Sequence, residues 1–169
     1  MIRKSLSFLL LGLCIIIGLD QAIKYWVMHT IPLETEISLL PFVSLYHVHN
    51  SGIAFSFLSS FHYMGIIALT LIIILFLLYL WKNTKHTKIL SRFGIVLIIG
   101  GALGNLIDRI RFHYVIDYIL FYIDGVFSFA IFNLADASIT FGTIAIMADE
   151  LYILIKGRRR LKNIFSESE

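Results

Sequence analysis

The sequence predicts an all-α membrane protein, organised as one domain over residues 1–169 with four transmembrane helices. Hydrophobic residues make up 59% of the chain and charged residues only 15%, and the mean hydropathy is +0.87. Such a composition is typical of a membrane protein rather than of a soluble domain. A helix needs about 20 residues to cross the hydrocarbon core, and four apolar stretches approach that length. The predicted spans are residues 5–22, 63–81, 93–110 and 133–156.

The positions of the basic residues predict how these spans are oriented. Eleven of the fourteen lysines and arginines lie in three blocks that flank apolar stretches. Cytoplasmic loops carry such an excess, so we expect both termini and the 82–92 loop in the cytoplasm, with segments 24–61 and 111–132 outside. The same distribution argues against a nucleic-acid partner despite the net charge of +3. The blocks are Arg3 and Lys4; Lys82, Lys85, Lys88 and Arg92; and Lys156, Arg158, Arg159, Arg160 and Lys162.

The first span has the features of a membrane anchor with an ion pair. Arg3 and Lys4 precede an apolar stretch, as in a signal peptide, but no small-residue cleavage site follows, so we expect an uncleaved anchor. Asp20 and Lys24 are four residues apart and meet on one face of a helix. We expect a structural ion pair there rather than a catalytic lysine. Cys14, the single cysteine, is expected to be small apolar filler.

The segment 34–49 is the only part of the chain whose pattern predicts β-structure. Apolar residues alternate imperfectly with polar ones, and Leu40-Pro41 interrupts the alternation. We expect a short sheet that lies on the outer membrane surface. His47 and His49 would share one face of a strand, but two histidines without a third ligand make a weak metal site. No metal is therefore expected.

Two further stretches combine small residues with polar ones. Asn50 and Gly52 follow the predicted sheet, where glycine permits a tight turn and the asparagine amide offers donors and acceptors to a peptide. In the third span, the small residues Gly100-Gly101-Ala102-Leu103-Gly104 allow close helix packing. Polar side chains follow at helical spacing, and the arginine among them would bind a carbonyl or a carboxylate, or hold its neighbouring aspartate ionised. They are Asn105, Asp108 and Arg109.

Two aspartates stand out near the outer ends of the spans. Asp117 lies in Val115-Ile116-Asp117-Tyr118, and Asp136 lies just after the start of the fourth span. Ionisable groups at a membrane edge are costly and usually mark function. Two carboxyl groups that meet there would share a proton and support acid–base chemistry. Asp149 and Glu150, near the other end of the fourth span, could form a proton path, although solvation at a helix end is favoured.

Five motifs occur in order between Asp20 and Gly142, and together they resemble those of lipoprotein signal peptidase, or signal peptidase II, a family of bacterial aspartic membrane proteases. One motif alone would be weak, but five in order, with the expected topology, are highly specific. Ile23 replaces a usual threonine and Ala130 a common proline, which leaves the entry to the fourth span less rigid. The motifs are Asp20-Gln21-Ala22-Ile23-Lys24, Asn50-Ser51-Gly52-Ile53-Ala54-Phe55, Gly101-Ala102-Leu103-Gly104-Asn105-Leu106-Ile107-Asp108-Arg109, Val115-Ile116-Asp117-Tyr118 and Phe132-Asn133-Leu134-Ala135-Asp136-Ala137-Ser138.

The resemblance implies a fold, a reaction and a set of site residues. It adds a small extracytoplasmic β-cradle and a surface helix to the four spans. It implies Asp117 and Asp136 as the catalytic pair, no cofactor, and a diacylglyceryl-modified prolipoprotein as substrate, cleaved before its lipidated cysteine. The enzyme would lie in the bacterial inner membrane, in contact with lipid and as a monomer, with its active site on the extracytoplasmic face. The implied supporting and substrate-binding residues are Asn50, Gly52, Asn105, Arg109, Asn133 and Ala135.

Two other classes of function are compatible with the composition alone. A proton-coupled transporter or small channel would use Asp20, Asp117 and Asp136 as relay groups. However, the acids gather at one interface rather than at mid-membrane, and no repeat symmetry is visible, as many transporters have. A purely structural scaffold would leave the acidic cluster unexplained.

Overall fold

The structure, a computed structural model, describes residues 2–52, 63–123, 127–128 and 130–166. These residues form four long helices and four strands. The surface helix implied by the resemblance would lie in an extracytoplasmic segment, and parts of those segments, residues 53–62 and 124–126, lie outside the described residues. The elements are α1 (Ile2–Thr30), β1 (Glu36–Leu40), β2 (Val43–Asn50), α2 (Tyr63–Asn83), α3 (Ile89–Phe112), β3 (Val115–Ile123), β4 (Phe127–Ser128) and α4 (Leu134–Ser166).

The number of predicted spans is confirmed, because all four helices are long and apolar enough to cross a membrane. The first helix, however, continues to Thr30, past the predicted end at residue 22. The prediction ended the span at residue 22, between Asp20 and Lys24, and placed the segment from residue 24 outside the membrane. In the structure both side chains are buried and paired inside the protein, so their charges do not end the helix.

Helix α3 lies at the centre of the bundle and packs against the other three helices. Of its most apolar stretch, 67% is buried inside the protein, against 11–22% in the other helices, which leave most of their apolar surface for lipid. Helices α3 and α4 approach closely because glycines on each helix face the backbone of the other. A β-carbon at Gly142 would lie 2.6 Å from the carbonyl oxygen of Gly94, and one at Gly101 would lie 2.3 Å from that of Ala135. The small-residue run therefore packs helices, as its pattern predicts.

Replacing Gly142 with alanine is expected to lower the melting temperature of the detergent-solubilised protein. The new methyl group would force α3 and α4 apart, and overpacking of this kind typically costs about 1–3 kcal/mol. The matched control is Gly157→Ala on the same helix, where a β-carbon meets nothing within 4 Å. Equal melting temperatures for the two variants would contradict this account of the α3–α4 contact.

The strands form an antiparallel sheet in the order β1-β2-β3-β4 at one end of the bundle. The interruption at Leu40-Pro41 coincides with the turn between β1 and β2, since Leu40 pairs with Val43. The prediction that only segment 34–49 forms β-structure is wrong, because β3 is the longest strand. Its sequence is an almost unbroken apolar run, and such a run does not distinguish a buried strand from a helix.

At the end of the bundle away from the sheet, polar side chains join α3 to its neighbours. The Ser91 hydroxyl donates to Asp149, and Lys88 pairs with Glu150 at 2.5 Å. Asp149 and Glu150 thus have partners at the start of α3, in Ser91 and in the N-cap residue Lys88. Neither the proton-path nor the solvation hypothesis predicted these contacts. Arg92 donates to the carbonyl of Thr84 at 3.0 Å and lies over the Trp81 ring, and these contacts attach the end of α2.

Candidate active site

Polar residues predicted from four separate motifs converge where the sheet meets the bundle. Asp117 lies in β3 and is buried, whereas Asp136 lies in the first turn of α4 and is half-buried. Antiparallel pairing sets Val48 opposite Asp117 and Asn50 opposite Val115, which brings the end of β2 beside the aspartate. The fold therefore gathers side chains that are far apart in the sequence.

Asn133 joins the two aspartates. Its side-chain Nδ2 donates to Asp117 Oδ1 at 2.6 Å, and its Oδ1 accepts the backbone N–H of Asp136 at 2.9 Å. The carboxylate Oδ2 of Asp136 in turn accepts the backbone N–H of Asn133 at 3.3 Å. This reciprocal pair is a capping box, with Asn133 as the N-cap of α4. The same residue thus begins the helix and holds both carboxyl groups.

Each aspartate also accepts a hydrogen bond from a second asparagine. Asn50 Nδ2 donates to Asp117 Oδ2 at 2.8 Å, and Asn105 Nδ2 donates to Asp136 Oδ1 at 2.8 Å. All four carboxyl oxygens therefore have an N–H donor. Because every donor is a neutral amide, these bonds orient the two carboxyl groups without neutralising them.

Arg109 and Gly52 hold the turn that carries Asn50. The Gly52 N–H donates to Asn50 Oδ1 at 3.0 Å, and Arg109 Nη2 donates to the Gly52 carbonyl at 2.6 Å. Arg109 was expected to bind a carbonyl or a carboxylate, or to hold Asp108 ionised. In the structure it binds a carbonyl, which belongs to the protein's own backbone. Asp108 instead pairs with Lys24 at 2.7 Å.

The predicted ion pair is present and belongs to a larger buried network. Lys24 Nζ lies 2.9 Å from Asp20 and 2.7 Å from Asp108, and all three side chains are buried. Asp20 Oδ1 accepts the backbone N–H of Ala135 at 3.0 Å, which ties α1 to the first turn of α4. The ion pair therefore supports the helix that carries Asp136, and Ala135 takes part through its backbone rather than its methyl group.

Two residues within the quoted motifs make contacts that their sequence patterns did not predict. Gln21 Nε2 donates to Asp108 at 2.9 Å and to the Gly104 carbonyl at 3.2 Å. The Tyr118 hydroxyl accepts the backbone N–H of Leu134 at 3.1 Å, and burial raises the pKa of Tyr118. Their proximity to Asp20 and Asp117 in the sequence was the available signal, but proximity along the chain does not specify a partner.

Burial and, to a smaller extent, the negative charge of Asp136 together raise the pKa of Asp117 from its ordinary value of 3.8 to about 7. Hydrogen bonds from Asn50 and Asn133 oppose this shift but are smaller in effect. Near neutral pH, Asp117 can therefore both hold and release a proton. Acid–base chemistry at this pair requires that ability.

The raised pKa of Asp117 predicts that the protein becomes less stable as the pH rises from about 4 to 7. In this interval the folded state keeps a proton that the unfolded state has lost, so the stabilisation is complete below 3.8 and lost above about 7. The slope contributed by this group is at most about 1.4 kcal/mol per pH unit. The measurement is the melting temperature against pH for the wild type and for Asp117→Asn. Identical slopes in the two proteins would contradict the assignment.

A mainly apolar cleft of about 400 Å³ opens beside the aspartates. Asp136 and Asn50 supply polar atoms to its wall, while Asp117 lies behind them and is buried. Phenylalanines and short side chains make up most of the rest. The cleft therefore offers space for apolar groups next to a carboxyl group. The remaining lining residues are Phe121, Phe127, Ala130, Ile131, Phe132, Ala137, Thr140 and Phe141.

The two histidines of β2 lie apart from this cleft. Their rings are 5.4 Å apart, His47 Nδ1 is 2.8 Å from the carbonyl oxygen of Ile31, and His49 stacks on Tyr114. Across the described ranges, no three histidine, cysteine or carboxylate side chains are grouped in a way that could hold a metal ion.

Comparisons with known proteins agree on one family. The family model described as signal peptidase (SPase) II matches residues 13–152. A lipoprotein signal peptidase of Bartonella quintana is 68% identical over 98% of this chain and 99% of its own length. One from Bartonella bacilliformis is 71% identical over 95% of this chain and 98% of its own length. One from Brucella ovis is 49% identical over 78% of this chain and 82% of its own length.

Solved structures agree with the fold. A bacterial membrane enzyme determined by the in meso method at 2.3 Å resolution has a TM-score of 0.79 and 31% identity, over 86% of this chain and 88% of its own. A second such structure, at 1.9 Å resolution, has a TM-score of 0.76 and 31% identity, over 86% of this chain and 93% of its own.

Proposed function

Because this chain belongs to the signal peptidase II family and is an aspartic endopeptidase of the membrane, we propose that it removes the signal peptide from diacylglyceryl-modified prolipoproteins. Cleavage falls before the lipidated cysteine, and Asp117 and Asp136 are the catalytic pair. One observation carries this proposal: Asn133 donates hydrogen bonds to the carboxyl groups of both Asp117 and Asp136, beside an apolar cleft.

The surroundings of the two carboxyl groups support different roles for them. Asp136 lies at the N-terminus of α4 and lines the cleft, and the positive end of the helix dipole favours its ionised form. Asp117 is more deeply buried, which favours its neutral form and raises its pKa to about 7. In the resting enzyme, Asp117 holds the shared proton and Asp136 is the general base.

The reaction follows from these protonation states. Asp136 takes a proton from water as the water oxygen bonds to the scissile carbonyl carbon, while Asp117 gives its proton to the carbonyl oxygen. The tetrahedral intermediate collapses when Asp136 passes its proton to the leaving nitrogen and the C–N bond breaks. Asp117 recovers its proton from the hydroxyl group as the carbonyl re-forms, so the pair ends in its starting state.

Several properties of the chain support a substrate held in the membrane. The cleft is lined by phenylalanines and lies where the sheet meets four apolar helices, so a signal helix and its acyl chains could reach it laterally. Basic residues near both termini and in the 82–92 loop support a cytoplasmic location for them, with the site on the extracytoplasmic face of the bacterial inner membrane. The enzyme acts there as a monomer, in contact with membrane lipid.

The direct test is cleavage by the purified enzyme of a diacylglyceryl-modified prolipoprotein, followed by gel shift and mass spectrometry. The control substrate is the same precursor without the lipid. We expect cleavage of the modified form alone, with a new N-terminus at the lipidated cysteine. A folded wild type that cleaves neither form would contradict the proposed function, and equal cleavage of both would contradict its lipid selectivity.

A further inference from the structure

Lys24 does more in this structure than pair with two carboxylates. Its ammonium group is buried and also donates to Asn105 Oδ1 at 2.9 Å. Asn105 in turn donates from its Nδ2 to Asp136 Oδ1 at 2.8 Å. One side-chain amide therefore separates the buried cation from the proposed general base.

Two donors, Lys24 and Asn133, fix which way the Asn105 amide points. An ammonium group has three donors and no acceptor, so only the amide oxygen can face it. Asn133 Nδ2 donates to the same oxygen at 3.1 Å. If the amide were reversed, its nitrogen would face two donors and its oxygen would face the carboxyl group of Asp136. Such a reversal would replace an attraction by a repulsion at the base.

We infer that Lys24 is a positioning residue for the reaction, since it holds Asn105 in the orientation that donates to Asp136. This inference rests on the proposed function and deepens it. The ion pairs with Asp20 and Asp108 keep the ammonium group of Lys24 in place. The ammonium group in turn holds the Asn105 amide, which donates its hydrogen bond to Asp136. Lys24 itself does not line the cleft and contacts no reacting atom.

The matched comparison is Asp108→Asn against the double variant Lys24→Met, Asp108→Asn. The single variant removes one carboxylate but keeps the ammonium group with Asp20 and Asn105, so it measures how much activity and stability depend on Asp108 alone. The double variant removes the cation in a background with one fewer carboxylate, so the buried network keeps its original charge balance. For each protein, kcat and KM are measured with the lipid-modified prolipoprotein, together with the melting temperature.

We expect Asp108→Asn to lower the melting temperature and to lower kcat less than the double variant does. Adding Lys24→Met should lower kcat by a further tenfold or more, since a hydrogen bond to a charged group corresponds to a factor of about ten or more. We expect KM to change less than twofold. Equal kcat values for the single and double variants would overturn the inference, as would a loss confined to the melting temperature. A wild type that does not cleave would overturn the proposed function itself.

Discussion

Replacing Asp136 with asparagine is expected to lower kcat by about 10³-fold, within the range that general acid–base catalysis contributes. Asparagine keeps the shape of the side chain and one oxygen for the capping box with Asn133, so α4 should still begin at the same residue. The amide cannot take a proton from water, however, and the attacking nucleophile is not generated. The measurement is single-turnover cleavage of a lipid-modified prolipoprotein by enzyme in excess.

The matched control for this loss is Ser138→Ala, two residues further along the same helix. The Ser138 hydroxyl donates to the carbonyl of Leu134 within its own helix and takes no part in the proposed chemistry. Its variant should cleave at close to the wild-type rate. Wild-type turnover by Asp136→Asn would remove this residue from the catalytic pair, whereas a protein that fails to insert would show as lost yield and lost melting transition.

Asn133 is expected to give the second largest effect, and its two roles can be separated. Asn133→Ser keeps an N-cap residue of similar quality but has no N–H donor for Asp117. Asp117 becomes ionised as it gives its proton to the substrate, and a hydrogen bond to a charged group is worth about 1.5–3 kcal/mol. We therefore expect kcat to fall about 10- to 100-fold while the melting temperature changes little. Turnover and thermal melting of the same preparation provide the two measurements.

Asn133→Ala completes the comparison because it removes both the donor and the cap. We expect the same loss of kcat as for the serine variant, together with a loss of about 0.5–2 kcal/mol of stability from the missing cap. If the serine variant kept full activity, the contact between Asn133 and Asp117 would have no part in the reaction. If it melted as early as the alanine variant, Asn133 would not cap α4 as described.

The four spans could be predicted because their signal is local. Each apolar stretch reaches membrane length by itself, and the basic blocks at its ends need no knowledge of the fold. The end of α1 could not be predicted in this way. Whether Asp20 and Lys24 lie in water or inside the protein depends on Asp108, which is on another helix. Strand β3 was missed for a similar reason, because its partner β2 lies far away in the sequence.

The residues of the site were available from the sequence, but the bonds between them were not. Asp117 and Asp136 stood out because charge is rare in an apolar chain, Asn50 and Asn105 stood out beside small residues, and the family resemblance added Asn133. Nothing local indicates that Asn133 contacts both aspartates, or that Lys24 reaches Asn105. Such contacts depend on how α1, α3 and α4 approach one another, which side-chain packing across the bundle decides.

The close contact of Gly94 and Gly142 has a consequence for how the protein responds to bilayer thickness. A helix whose apolar stretch is longer than the bilayer is thick can adjust by tilting. Because the backbones of α3 and α4 touch at these glycines, the two helices would tilt together as one rigid body. Asn105 on α3 and Asp136 on α4 would then keep their hydrogen bond during the tilt. Hydrophobic mismatch would thus reorient the site relative to the lipid surface without taking it apart.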